Sequence, residues 1–279
     1  MIVYQMNSTG NCNLYPFEIE GDGRQYASFS FMHEGRPLDD ISCIVSLRAA
    51  GDMRFDAVCE KFIVGLGAAD KKIFHCVQRH TRNVVPVTKN NDCLINNADG
   101  LIANSPDIGL FVTVADCLPV FLFDTLSGAF SVLHSGWKGT GIAENAVKLM
   151  GKIYQSKPEN IAAVLGPCIR SCCYNVDEER ALLYQKEFGG KEKDASAFLL
   201  NAGAFPLGSV VQKKETRDGT KWYIDMQAAN AALLVKNGVR NIAYCVNCTF
   251  TDENFGSFRR QGARDFTKMM ALAMSRVGL

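Results

Sequence analysis

Short apolar runs alternate with polar turns along most of the chain, and each run is too short for a long helix. Strands are predicted over Ala27 to Phe31, Ile73 to Val77, Gly109 to Val114, Pro119 to Phe123, Ala129 to His134, Ile161 to Leu165 and Asn241 to Val246. Helices fall between them. From Thr140 to Tyr154, Ile142, Ala146, Leu149 and Ile153 recur at helical spacing, and Asp177 to Phe188 opens with acidic residues that suit the positive end of a helix. Asp225 is placed to cap "MQAANAALLVKNG", with Gly238 as its stop, and Phe266 to Arg276 reads as a fourth amphipathic helix. "GGKEKDASA" and "KKETRDGTK" read as surface loops. Strands cluster mid-chain and helices interrupt them irregularly, so the expected fold is mixed α/β (α+β), a mixed β-sheet with packed helices. Without an evident linker or repeat, residues 1–279 are expected to form one domain.

Composition narrows the function. At 279 residues with 47% hydrophobic side chains, the chain can bury a large core. Its 30 Lys and Arg against 29 Asp and Glu carry no electrostatic footprint for nucleic acid or an anionic membrane. A small-molecule substrate fits better; the oligomeric state is left open. The start "MIVYQMNSTG" lacks a basic flank with a continuous apolar run, and no later run approaches a membrane span, so a cytoplasmic location is expected. Eleven cysteines are an odd number in a large chain, which argues for free, mostly buried thiols rather than a disulfide scaffold. Neither Cys172–Cys173 nor the CxxC spacing of Cys245 and Cys248 is by itself a metal or redox signature.

One stretch carries candidate chemistry. In "TVADCLPVFLFDTLSGAFSVLHSGWKG", a four-residue hairpin loop at Asp124 to Ser127 places Phe123 opposite Gly128 and, counting back, Cys117 opposite His134. Opposed residues share a sheet face with Cβ atoms about 5 Å apart, so sulfur and imidazole can meet at one ion. Among the four histidines, His80 ends a strand-like run beside Gln78 and before a polar turn, which suits a third ligand. His75 reads as a packed strand residue and His33 as a loop residue. Two histidines and a cysteine leave a fourth position open, as in a catalytic zinc site. The competing reading makes Cys117 a buried thiol and His134 a core residue.

The phrases "NNADGLIAN", "TVADCLPVFLFD", "LHSGWKGTGIAENAV", "LGPCIRSCCYNVDEE", "WYIDMQAANAALL", "NCT" and "FGSFRRQG" occur in this order, and from about Phe29 onward the chain resembles the YfiH family, also called the laccase-domain or polyphenol oxidase family. The resemblance implies a single-domain α/β sandwich and one zinc ion held by His80, Cys117 and His134. It further implies action on purine nucleosides: adenosine deamination, or phosphorolysis of adenosine, inosine, guanosine or methylthioadenosine. Zinc lowers the pKa of water from 15.7 towards about 7. Deamination also needs an acid or base, for which Asp99 is preferred over Asp116. Phosphorolysis needs cations for phosphate, for which Arg259, Arg260 and Lys138 are candidates, while Trp137 can stack on a purine and Gln78 belongs to the family's "QxH".

Three departures bear on phosphate. Met32 and Lys268 stand where the family pattern has arginines, and Arg48 where it has asparagine. Other readings are a copper polyphenol oxidase, for which four histidines are few; a hydrolase with Cys117 as nucleophile and His134 as base; and a non-enzymatic zinc or partner-binding module.

Overall fold

The structure, a computed structural model, describes residues 7–9, 12–189 and 209–276. Among these residues two large sheets lie face to face. One has eight strands in the order Asn7–Thr9, Cys12–Phe17, Asn241–Cys245, Ile161–Leu165, Leu118–Asp124, Phe130–Ser135, Gly100–Ala103 and Val84–Pro86. The other has six, in the order Tyr26–His33, Arg36–Ser46, Met269–Ser275, Ile108–Val114, Lys72–Cys76 and Leu94–Ile95. Both mix parallel and antiparallel pairs. The result is a mixed α/β sandwich.

Side-chain alternation explains the layering. In Leu118–Asp124, Leu118, Val120 and Leu122 point to the helix side, where they meet Ala143, Ala146 and Met150 of helix Ile142–Tyr154 and Ala228, Ala231 and Leu234 of helix Met226–Lys236. Phe121 and Phe123 of the same strand point between the sheets, against Phe29 and Phe31. A strand buried on both faces has no polar phase, which is why it reads as one continuous apolar run. Helix Asp56–Gly65 covers the outer face of the six-stranded sheet through Cys59 and Phe62. No described helix is long and apolar enough to cross a membrane.

The expected cap residues are in place: Asp177 accepts from the Arg180 N–H and Asp225 from the Ala228 N–H. Two expectations fail. Met269–Ser275, inside the stretch read as a helix, is a central strand. Its Met, Ala and Leu residues favour helix intrinsically, yet Met269, Ala271 and Ala273 face the inter-sheet core while Met270, Leu272 and Met274 face helix Asp56–Gly65. "KKETRDGTK" is a hairpin between strands Val211–Thr216 and Gly219–Ile224, extended by Asn175–Val176 into a three-stranded sheet. Most of "GGKEKDASA" lies outside the described residues.

Phe121 is fully buried and meets the Phe29 ring edge-on at 5.7 Å. Phe121→Ala is expected to cost about 3–5 kcal/mol in urea unfolding. Leu126→Ala, at a position 78% exposed, should stay within about 0.5 kcal/mol. A loss at Phe121 no larger than at Leu126 contradicts the sandwich core.

Candidate metal centre

The chain passes from the six-stranded to the eight-stranded sheet twice near one spot. The first crossing runs from Lys72–Cys76 to Val84–Pro86 and carries His80; the second joins Ile108–Val114 to Leu118–Asp124 and carries Cys117. Each corner contains a non-glycine residue in the left-handed region, His80 at φ 59° and Asp116 at φ 77°. Such conformations are held in place only by their surroundings, and they concentrate at functional sites.

His134 supplies the third group from within its strand. The hairpin pairs Pro119 with His134 and Phe123 with Phe130, so its loop is two residues longer than the expected one. Asp124 lengthens it by accepting from the Leu126 N–H and the Ser127 hydroxyl. Cys117 is therefore not opposite His134. A slip of two is one pleat period, however, so the two residues keep the same face as diagonal neighbours. The ligand atoms of His80, Cys117 and His134 all lie within 4.8 Å of one another. Gly136 completes the arrangement by having no side chain: a Cβ there would fall 2.9 Å from the His80 ring and 3.1 Å from the Cys117 sulfur.

Asp99 is fully buried behind this group. Its carboxylate accepts from the backbone N–H groups of Arg79, His80 and Thr81, from the Thr81 hydroxyl at 2.7 Å, and from His134 Nδ1 at 2.8 Å. These donors hold its carboxyl far below the usual carboxylate range despite burial. The same residue's carbonyl accepts from the His134 N–H. With Nδ1 committed to Asp99, His134 turns Nε2 towards Cys117 and His80, the usual arrangement behind a metal-binding imidazole.

Burial pushes the Cys117 thiol up, but the neighbouring His134 and His80 imidazoles outweigh it and bring it down to about 6. Burial lowers His134, whereas Cys117 and Asp99 raise it to about 9. A thiolate is therefore available near neutral pH, as metal coordination requires. Donor types, spacing and an oriented imidazole fit one divalent ion with an open side. They do not fit several coppers: of the other two histidines, His75 is stacked on Phe111 and His33 ends a strand of the six-stranded sheet.

The open side faces a cavity of about 510 Å³ lined by the three ligands and, among others, Asp116, Trp137, Tyr174, Arg180, Arg259 and Lys268. The remaining expected site residues divide. Arg259 lines the cavity, crossing the Tyr174 ring at 5.2 Å and donating to Asn175. Arg260 does not: its guanidinium donates to the carbonyls of Thr249, Phe250, Asp252 and Phe255 and ties that loop together. Lys138 also lies outside the lining, exposed beside Trp137. Trp137 is in the wall with Arg180 4.6 Å from its ring centre, so it already carries a cation. The Gln78 amide is spent at both ends on Thr113, clamping two strands of the six-stranded sheet.

Asp116, not Asp99, is the carboxylate in the cavity wall. Its oxygens accept from the Thr249 hydroxyl at 2.7 Å and the Arg259 N–H at 2.6 Å. Met32 is buried in the inter-sheet core, so its departure from the family pattern removes no donor from the cavity, and Arg48 reaches the Glu253 carbonyl. Lys268 is in the lining. Sequence reading missed Arg180, Tyr174 and Phe258; Arg180 is on a helix whose acidic first turn gives no hint of a cavity-facing cation.

Residues 56–276 match the family described as multi-copper polyphenol oxidoreductase laccase. The chain belongs to that family. It is 34% identical over 194 residues to a purine nucleoside phosphorylase of Borreliella burgdorferi, spanning 68% of this chain and 75% of that one. It is 31% identical over 186 residues to adenosine deaminase RL5 from an unknown prokaryotic organism, spanning 63% of each. The solved structure of YlmD from Geobacillus stearothermophilus superimposes with a TM-score of 0.72 at 23% identity, covering 88% of this chain and 99% of that one, which shows the same fold.

Asp99→Asn leaves the shape but reverses one donor–acceptor pairing, and is expected to weaken metal binding about 10–100-fold in a chelator competition. In metal-free protein, the depressed Asp99 carboxyl contributes stability that is present above the unfolded-state value of about 4 and is lost as pH falls through its lower folded value. The melting gap between wild type and Asp99→Asn should accordingly shrink as the pH falls below about 4. A gap that widens in acid contradicts the carboxylate cradle.

Proposed function

We propose that the chain is a zinc-dependent purine nucleoside enzyme with phosphorolysis as its principal reaction. One observation carries this reading: the two imidazoles and the thiolate open on a small-molecule-sized cavity that also presents Arg180, Arg259 and Lys268. Three cations in one wall suit an anionic co-substrate such as inorganic phosphate, with the two guanidiniums able to grip two oxygens each. The names carried by the relatives point to the same substrate class.

In phosphorolysis a phosphate oxygen bonds to ribose C1′ as the C1′–N9 bond breaks. The bonding pair departs with the purine, which takes up a proton, leaving free base and ribose 1-phosphate. Arg259 and Arg180 hold and orient the phosphate, and Lys268 adds a point charge. Asp116, fixed by Thr249 and the Arg259 N–H, is assigned as the relay that takes a proton from dihydrogen phosphate and passes it to the leaving base. Phe258, 49% exposed and in the cavity lining, offers an aromatic face to the purine. When bound by His80, Cys117 and His134, zinc supplies Lewis acidity and acidifies water. Adenosine deamination is the second reading, favoured by the carboxylate of Asp116 next to Cys117 and by the resemblance to the RL5 deaminase.

Three results are expected from the purified protein. Chelation abolishes turnover and zinc restores it, while Cys117→Ala or His134→Ala lowers kcat/KM by about a hundredfold or more. Free base accumulates from purine nucleosides only when phosphate is supplied; inosine formed from adenosine without phosphate instead favours deamination. Chelator-resistant turnover with an adduct on Cys117 overturns the metal reading in favour of a cysteine hydrolase, and an intense blue colour on copper loading favours a copper site.

Arg259→Ala is expected to raise the KM for phosphate by about tenfold. Arg260→Ala, by contrast, lowers thermal stability because four loop carbonyls lose a donor. If both variants change phosphate KM alike, the division between the two arginines is wrong.

A further inference from the structure

A second convergence of metal-binding side chains lies outside the cavity lining. The sulfurs of Cys172, Cys173 and Cys248 all lie within 4.8 Å of one another, those of Cys172 and Cys173 at 3.4 Å. The CxxC pair suggested by spacing does not form: Cys245 is buried and turns its thiol to Asn247. A parallel bridge between Cys168 and Cys248 instead brings Cys248 against the turn that carries Cys172 and Cys173.

We propose that Cys172, Cys173 and Cys248 form a three-thiolate site for a thiophilic d10 ion, zinc(II) or copper(I), separate from the His80, Cys117 and His134 group. At the usual zinc–sulfur distance of about 2.3 Å, three thiolates around one ion sit about 4 Å apart, close to the spacing already present. Sulfur alone, without imidazole or carboxylate, selects soft ions over magnesium or calcium. The graded exposure suits loading from solvent: Cys248 is buried, Cys173 half-buried and Cys172 exposed.

The Cys248 sulfur accepts from the Arg170 N–H at 3.4 Å, which fixes the buried member of the trio. An ion here joins two segments that reach the cavity, since Cys173 precedes Tyr174 in the wall and Cys248 precedes Thr249, which holds Asp116. Its function is to brace that wall.

The test is metal titration of the full chain under reductant and nitrogen, with zinc(II) and separately with copper(I), against a chromophoric chelator. Wild type should take up one equivalent more than the Cys172→Ser/Cys173→Ser variant for at least one of the two ions. That difference should persist in a His80→Ala/His134→Ala background, which lacks the other site. In that same background, cobalt(II) loading should give thiolate charge-transfer absorbance that is lost when either Cys172→Ser/Cys173→Ser or Cys248→Ser is added. Circular dichroism of the double serine variant, which exchanges one exposed and one half-buried sulfur for oxygen, should match wild type. Equal uptake of both ions by wild type and the double serine variant overturns the proposal. Because uptake is read without any nucleoside, absence of turnover leaves this result standing and counts only against the phosphorylase reading.

Discussion

The buried carboxylate of Asp99 is the constraint on which the candidate metal group rests. It gathers three consecutive backbone N–H groups, which fixes the left-handed turn at His80, and it accepts a hydrogen bond from Nδ1–H of His134 on the neighbouring strand. One side chain therefore sets both the position of His80 and the orientation of the His134 ring. Five donors on one carboxylate also offset its desolvation, which explains how a charge with no solvent exposure is tolerated there.

Much of this was legible in the sequence because the chemistry is concentrated in rare residues. Four histidines leave few ways to complete a ligand set around Cys117, and the alternation of the strands puts Cys117 and His134 on one face even with the hairpin register wrong by two. The role of Asp99 was not legible. A turn-adjacent aspartate looks the same in sequence whether it faces a substrate or the back of an imidazole, and only the fold decides. Asp116 was undervalued for the same reason.

The failures in the fold have a common physical origin. Met269–Ser275 is buried on both faces, so its sequence was free to use Met, Ala and Leu, and no polar phase marked it as a strand. The adjacent arginines show the converse problem. Arg259 faces the cavity while Arg260 turns inward to a cage of carbonyls, because consecutive residues at a helix start point in different directions.

The two corner segments have a further consequence for the ion-binding trio. His80 enters from a segment leaving the six-stranded sheet, whereas His134 belongs to the eight-stranded one, so the two imidazoles meet across the gap between the layers. That gap is filled by aromatic contacts such as Phe29 on Phe121 and Phe31 on Phe123. The aromatic rings packed between the layers therefore also separate the strand that carries His134 from the sheet that His80 has just left.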